Sequence, residues 1–384
     1  MRQLRLRNRP DRAVSAHNFT QGFAKLASQG LQAIFERNSI QYGKRTILNS
    51  YDLKSKIEGL QMEGKIDATN ITIVSIDIKD MYPQSKYEDV VKAVRHYSRV
   101  LDDYDRASVE QLLDMLKFSM GNTICQFGGN YYEYCGDEEP DRRGLSIGGF
   151  ESAFLADLLA SYLLDVTFVV HASCPFIGLY RDDGLAIFLG KKTNAQCLSR
   201  LNVFQNQVNG TLGNTDIQFT MEIWRPGDES GVMPGTSTNV NGETFDRVTI
   251  CGSTTFPYLD IQLEIVEEEG IIFTVYHKPN KLIKYVNMSS THHPLQISAV
   301  LNSVQTRLSC LTTVRDCNAA KSLSELYPNH HNALRTSGHL RGGAQMKTLQ
   351  QALDEDRAAS HFRDTKRDDR KRRMKREVKL IMKY

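Results

Sequence analysis

Two neighbouring aspartates near the middle of the chain are the residues best suited to metal chemistry. Asp182 and Asp183 lie in the run Tyr180-Arg-Asp-Asp-Gly184, with apolar, strand-like residues on both sides. An Asp-Gly pair between two such runs predicts a β-hairpin with both aspartates at its tip. Adjacent carboxylates repel each other unless a cation neutralises them, and Mg²⁺ binds carboxylate oxygens together with substrate phosphates. A solvated turn with incidental acids is the alternative interpretation.

A third aspartate comes at the end of an earlier apolar run. Residues 71–78 are rich in Ile, Val and Thr, and they predict a central strand that carries Asp77 and ends before Pro83. Two-metal phosphoryl transfer requires carboxylates from separate segments, with the metals about 3.5–4 Å apart. Asp77 at a strand end and Asp182 and Asp183 on a hairpin therefore predict a site for two Mg²⁺ ions, with Mn²⁺ as an alternative metal.

These segments resemble the palm motifs of reverse transcriptases. Residues 180–183 look like the Tyr-x-Asp-Asp box, and residues 77–82 look like the first palm motif. Residues 144–157 resemble the glycine-containing second motif, in a form most similar to that of Penelope-like retroelements, and further matches lie between 256 and 294. The resemblance implies an α+β fold, a right-hand polymerase palm whose antiparallel sheet is backed by helices, and RNA-directed DNA synthesis.

The resemblance also implies roles for individual residues. The metal ligands would be Asp77, Ile78, Asp182 and Asp183. The nucleotide-binding residues would be Arg12, Asp80, Tyr82, Gly148 and Gly149, with Tyr82 resembling the steric gate against a ribose 2′-hydroxyl. The primer and template contacts would be Tyr180, Arg181, Lys278, Lys281 and Lys284. The expected partners are an RNA template, a DNA primer and deoxynucleoside triphosphates.

Most of these residues also have an ordinary structural interpretation. Tyr82 could pack at a strand end, Asp80 could start a turn, and glycines ahead of a helix often serve local geometry. The three lysines could form a solvated face. Those alternatives remain open from the residues alone.

Composition predicts an intracellular protein without membrane spans. The 48 Lys and Arg against 45 Asp and Glu leave a net charge of only +3, so nucleic-acid affinity must come from local patches. The 7 cysteines form no Cys-x-x-Cys pair, which favours reduced thiols. No secretory leader is recognisable, and the basic block at 366–376 predicts a nuclear location or a nucleic-acid tether.

The pattern along the chain predicts four regions. Residues 1–70 are expected to form partial fingers, 71–266 the palm with the catalytic motifs, 267–335 a primer-holding strand and loop with thumb-like helices, and 336–384 a basic tail. Within the palm, residues 225–246 are rich in Gly, Ser, Thr and Asn and predict a loop. Residues 258–266 predict a single strand.

Two other functions remain open at this stage. The changed second motif, with Gly149 and Phe150 in place of Ser and Pro, would suit a non-catalytic nucleic-acid-binding remnant or a domesticated retroelement protein. A metal-dependent nuclease would use the same carboxylates but would not need Tyr82 or the primer-holding segment. Retention of Asp77, Asp182 and Asp183 favours the polymerase.

Overall fold

The structure is a computed structural model that divides into two compact units, Met1–Thr254 and Thr255–Tyr384. It describes residues 13–37, 46–79, 81–99, 103–121, 124–127, 130–133, 144–145, 150–167, 174–212, 218–233, 237–240, 243–266 and 269–360. Four predicted site residues lie outside the described residues: Arg12, Asp80, Gly148 and Gly149. The basic block at 366–376 also lies outside them.

The first unit contains groups of helices and groups of strands, so the fold is a mixed α+β arrangement. Its helices are α1 (Ala13–Arg37), α2 (Ser50–Met62), α3 (Met81–Gln84), α4 (Tyr87–Ser98), α5 (Asp103–Gly121), α6 (Ser152–Thr167) and α7 (Asn194–Leu212). Its strands are β1 (Ile71–Lys79), β2 (Ile124–Phe127), β3 (Asn130–Glu133), β4 (Phe176–Tyr180), β5 (Asp183–Leu189), β6 (Gln218–Trp224), β7 (Gly231–Val232), β8 (Ser237–Val240), β9 (Glu243–Asp246) and β10 (Val248–Cys251).

A six-stranded sheet organises the first unit, in the order β4-β5-β1-β6-β10-β7. Strand β1 is central and pairs antiparallel with both β5 and β6. Because side chains alternate across a strand, Val74, Ile76 and Ile78 of β1 point into the helix-covered core, whereas Ser75, Asp77 and Lys79 lie on the other face. The predicted strand is thus confirmed, with Asp77 near its carboxyl end.

Helix α6 covers the core side of the sheet. Its sequence is apolar over most of its length, and Leu155, Ala156 and Leu159 are fully buried. A helix that is apolar nearly all round requires partners on several sides. Helix α6 accordingly packs against α4, α7 and α1 and against strand β4.

The second unit contains a separate antiparallel sheet with helices. Strands β11 (Thr255–Tyr258), β12 (Ile261–Val266) and β13 (Gly270–Val275) form the sheet in that order. Helix α8 (Pro294–Leu311) packs on β13 and is followed by α9 (Leu323–Leu326), α10 (Pro328–Thr336) and α11 (349–360). The division between the units at 254/255 falls inside the range predicted as palm.

Two expectations about strands were wrong. The segment 225–246 contains β7, β8 and β9 in place of the predicted loop, and β8 pairs with β9 in a hairpin. The strand predicted over 258–266 is interrupted at Leu259, whose φ of 54° makes a turn between β11 and β12. Composition favoured loop in the first case, but cross-strand pairing formed short strands despite it.

Among the described residues, no helix is both long enough and apolar enough to cross a membrane.

Candidate active site

Four directly opposed residues form a row across four neighbouring strands of the large sheet, close to the carboxyl end of β1. Tyr180 of β4 pairs with Asp183 of β5, Asp183 pairs with Asp77 of β1, and Asp77 pairs with Thr220 of β6. Directly opposed residues in antiparallel strands present their side chains on the same face, with Cβ atoms about 4.5–5.5 Å apart. Asp77 and Asp183 therefore lie side by side on the face away from the helical core.

The third carboxylate belongs to the turn next to this row. Strands β4 and β5 are joined by Arg181 and Asp182, and the backbone N–H of Ile78 donates to the carbonyl oxygen of Asp182 at 3.1 Å. This hydrogen bond ties the turn to the end of β1. Asp182 is thus held beside Ile78, one position along from Asp77.

The turn differs from the one expected from the Asp-Gly pair. Its central residues are Arg181 and Asp182, whereas Asp183 and Gly184 already belong to β5. Arg181 has a φ of 57°, a left-handed conformation that costs free energy in a residue with a side chain. Only Asp182 therefore lies at the hairpin tip, and the prediction that both aspartates lie there was wrong.

Gly184 serves packing in this hairpin. A Cβ atom at this position would lie 2.8 Å from Cδ2 of Leu179 and 3.3 Å from both Cβ and the carbonyl oxygen of Ile76. These atoms belong to the strands on either side of β5. The absence of a side chain at Gly184 thus allows β4, β5 and β1 to pack closely next to Asp183.

Two polar neighbours contact the carboxylate of Asp77. The Nζ atom of Lys79 lies 3.3 Å from Oδ2 of Asp77, and the hydroxyl of Thr220 lies 3.5 Å from the same oxygen. The side chains of Lys79 and Asp77 are 47% and 41% exposed, so solvent screens their attraction. Lys79 offsets part of the repulsion between Asp77 and Asp183.

A partly buried carboxyl group of helix α6 interacts with the turn. The pKa of Asp157, on α6, is raised to about 6, mainly by burial. The guanidinium and backbone N–H of Arg181 oppose this rise, and the charge of Asp182 adds a smaller increase. Burial also raises the pKa of Tyr82, with smaller effects from Arg181, Asp157 and Asp182. Asp157 and Tyr82 therefore share the electrostatic environment of the Arg181–Asp182 turn.

The donor set at this edge fits Mg²⁺ in its chemistry. Carboxylate oxygens are the ligands that this hard cation prefers, and two of the three carboxylates are directly opposed. Within the described part of the chain, no three His, Cys, Asp or Glu side chains are gathered closely enough to hold a metal ion. The fit thus rests on donor type and on the Asp77–Asp183 pair, without a preformed three-ligand cage.

The structure brings together most of the residues predicted for catalysis. Asp77, Ile78, Tyr180, Arg181, Asp182 and Asp183 lie in three adjacent strands and one turn. Tyr82 is the second residue of α3, and its partly buried side chain packs against the core. The predicted primer lysines, Lys278, Lys281 and Lys284, belong to the second unit and are exposed there.

Three residues of the site were missed from the sequence. Lys79 could have been found from the sequence, because residues two apart on a strand share a face and Lys79 lies two positions after Asp77. Asp157 is one of two acids in a mostly apolar helix, and an acid in such a helix is a signal of a partly buried ionisable group. The opposition of Thr220 to Asp77 depends on strand register, which the sequence left open.

Comparisons with known proteins found likeness only among solved structures. No family model matches the chain, and no curated protein matches it. Telomerase from Candida albicans in complex with the TWJ fragment of telomeric RNA is 10% identical, with a TM-score of 0.45, over 82% of this chain and 46% of that one. Telomerase from Candida tropicalis with the same fragment is 9% identical, with a TM-score of 0.42, over 82% and 45%. Apo telomerase from Candida tropicalis truncated from the C-terminal domain is 12% identical, with a TM-score of 0.38, over 58% and 44%.

This chain thus spans less than half the length of each of these telomerases. A likeness at these identities and TM-scores supports no assignment of activity. The similarity to Penelope-like retroelements rests on the sequence motifs alone.

Proposed function

We propose that the protein is a template-directed nucleotidyltransferase of the reverse-transcriptase type. It would extend a DNA primer on an RNA template, using deoxynucleoside triphosphates. The observation that carries the proposal is the opposition of Asp77 and Asp183 on adjacent strands, with Asp182 tied to Ile78 in the turn beside them. Acidic residues from two separate segments at one sheet edge are what metal-assisted phosphoryl transfer requires.

The protein's own contribution to this reaction is positioning and charge. Asp77, Asp182, Asp183 and Ile78 would hold two Mg²⁺ ions, which when bound neutralise phosphate charge and make the primer 3′-hydroxyl more acidic. Lys79 lies within reach of the same face and can donate to phosphate oxygens once Asp77 has another cationic partner. Because phosphoryl transfer depends mainly on alignment and electrostatics, no Ser, Cys or His nucleophile is needed.

Tyr82, Tyr180 and Arg181 would contact the incoming nucleotide and the primer terminus beside the aspartates. Tyr82 lies near enough to the turn for the charge of Asp182 to affect its pKa, which suits a residue that contacts the sugar of the incoming nucleotide. Tyr180 and Arg181, whose guanidinium lies 5.4 Å from the centre of the Tyr180 ring, would contact the primer terminus. Arg12, Asp80, Gly148 and Gly149 keep their sequence-based roles in nucleotide binding, and Lys278, Lys281 and Lys284 keep theirs in holding the primer.

A primer-extension assay on RNA and DNA templates tests the proposal. Asp77→Asn and Asp183→Asn keep the size of the side chain but remove its charge. We expect each to lower Mg²⁺-dependent incorporation by at least about 100-fold, which corresponds to roughly 2.7 kcal/mol, with template binding retained. Asp228→Asn is the matched control, because Asp228 is an exposed turn residue of the same unit. Incorporation at the wild-type rate by Asp77→Asn would refute the polymerase assignment.

A second candidate is a nucleic-acid-binding protein without catalysis. It is favoured by the pairing of Asp77 with Lys79, which gives one of the carboxylates a cationic partner within the protein itself. Wild-type protein that binds primer–template duplex but incorporates no nucleotide with Mg²⁺ or Mn²⁺ would support this candidate.

A further inference from the structure

A loop of the second unit forms one wall of a cavity of about 790 Å³. This lysine loop, residues 277–287, faces helix α10 across the cavity. Lys278, Lys281 and Lys284 line the cavity from the loop, and Asn329 and Asn332 line it from the helix. Ammonium groups together with side-chain amides suit the phosphate and sugar groups of a nucleic-acid strand.

One buried histidine connects both ends of the lysine-bearing segment. His330 of α10 is only 8% exposed. Its Nδ1 atom is hydrogen-bonded to the hydroxyl of Tyr285, and its Nε2 atom lies 2.5 Å from Nε2 of His277. The three lysines lie in the seven-residue span, 278–284, between these two contacts. A single side chain therefore contacts the residues at both ends of this span.

Further hydrogen bonds continue the attachment beyond Tyr285. The backbone N–H of Met288 donates to the carbonyl oxygen of Ser337 at 2.9 Å, and Nε2 of His339 lies 2.7 Å from the carbonyl oxygen of Val286. Within the span, Asn280 has a φ of 65°, and the N–H of Lys281 bonds to the carbonyl oxygen of Lys278 at 3.2 Å. The loop is thus shaped by local turns and attached to the helical region on one side.

His330 contributes to this site by holding the conformation of the lysine loop, and it contributes no charge near neutral pH. Burial, together with the smaller effects of His277 and Arg307, lowers the pKa of His330 to about 4. Burial likewise lowers the pKa of His277. Near neutral pH the two imidazoles are therefore uncharged. A hydrogen bond between their Nε2 atoms then requires a proton on only one of the two.

We propose that His330 is a positioning residue that fixes the lysine loop so that Lys278, Lys281 and Lys284 meet a single nucleic-acid strand together. The proposal rests on the primer-holding role assigned to these lysines above. Ordering a mobile loop on binding costs free energy, so a loop already held in its binding shape gives higher affinity from the same contacts. Losing His330 should therefore weaken binding without removing any phosphate contact.

The salt dependence of nucleic-acid binding distinguishes a loss of order in the lysine loop from a loss of positive charge. Affinity for a fluorescent single-stranded DNA oligonucleotide is measured by anisotropy over about 50 to 200 mM salt. Lys281→Ala removes a phosphate partner and should reduce the slope of log K against log salt by about 0.7. His330→Ala should weaken binding by about 3- to 10-fold while leaving that slope unchanged, since order is lost and charge is not. His331→Ala is the matched control from the next position of α10.

Coupling between the residues provides a second test. Tyr285→Phe should weaken binding in the wild-type background but have no further effect in His330→Ala, because the contact it removes is already absent. His330→Gln keeps a donor and an acceptor and should restore part of the affinity. Amide hydrogen exchange over residues 278–284 should accelerate in His330→Ala, and circular dichroism should show that the fold is retained.

The possible failures have different meanings. Unchanged affinity and slope in Lys281→Ala, Lys278→Ala and Lys284→Ala would remove the lysines from nucleic-acid binding and overturn the primer-holding role. Weaker binding in those variants with wild-type affinity in His330→Ala would overturn only the positioning role of His330. A smaller salt slope in His330→Ala would show that His330 acts by charge and would also overturn it.

Discussion

Asp77 and Asp183 lie directly opposite each other on adjacent antiparallel strands. The ammonium group of Lys79 lies 3.3 Å from the carboxylate of Asp77. Two like charges in opposed positions destabilise a sheet. A neighbouring cation reduces this cost, and Lys79 supplies one from the same face of β1. The arrangement is unfavourable for stability alone, which is typical of residues that serve binding or catalysis.

Lys79→Met is expected to strengthen Mg²⁺ binding at this edge. Lys79 and a metal ion compete for the Asp77 carboxylate, and Met keeps the length of the side chain without its charge. Because exposed ion pairs contribute less than about 1 kcal/mol, the gain should be roughly 2- to 5-fold in the dissociation constant. Calorimetric titration with Mg²⁺ measures it. Lys65→Met, whose exposed lysine pairs with Glu63, is the control, and weaker Mg²⁺ binding by Lys79→Met would contradict the competition.

Gly184→Ala is expected to lower the free energy of unfolding by about 1–2 kcal/mol, because the added methyl group enters a packed region. It would meet Leu179 at 2.8 Å and Ile76 at 3.3 Å, and both residues are buried. Chemical denaturation measures the loss. Gly231→Ala in the same sheet is the control, since its Cβ would have no heavy atom within 4 Å. Equal stability of the two variants would contradict the packing role of Gly184.

Asp157→Asn is expected to change how stability depends on pH. The folded pKa of Asp157 is about 6, above the ordinary value of 3.8, so between these values the folded state binds more protons than the unfolded state. Wild-type stability from this group therefore falls as pH rises from about 4 to 6. The variant lacks the titration, and its free energy of unfolding relative to wild type should rise by about 1–3 kcal/mol over that window. Urea denaturation at several pH values measures the free energy of unfolding of both proteins. A difference between them that does not change with pH would contradict the prediction.

Tyr82→Ala is expected to raise incorporation of ribonucleotides relative to deoxyribonucleotides. If the ring blocks the 2′-hydroxyl, its removal affects discrimination more than the overall rate. A competition assay with both triphosphates measures the ratio of the two kcat/KM values. Tyr87→Ala, another tyrosine packed at the edge of the same core, controls for general loosening. Unchanged discrimination in Tyr82→Ala would show that Tyr82 only packs at this position.

Local patterns were sufficient for the elements that carry the acids. The apolar run at 71–78 and the two runs around Asp182 predicted β1 and the β4–β5 hairpin, and the structure contains both. The turn itself was misplaced, because turn statistics favour Asp-Gly whereas packing of Leu179 and Ile76 places Gly184 inside β5. The split at Leu259 was missed because nothing in an apolar strand pattern marks a left-handed residue.

The sequence by itself determined which residue types are present and that Asp77 and Asp183 belong to strand-forming segments, because apolar alternation is a local property. Only the tertiary structure decided that these two aspartates are directly opposed and that Thr220 is opposed to Asp77. It also decided that Asp157 interacts with Arg181 and Asp182 of the turn. Strand order and register depend on packing between segments far apart in the chain. The same reason explains why His330 was not foreseen: its partners His277 and Tyr285 lie 53 and 45 positions away.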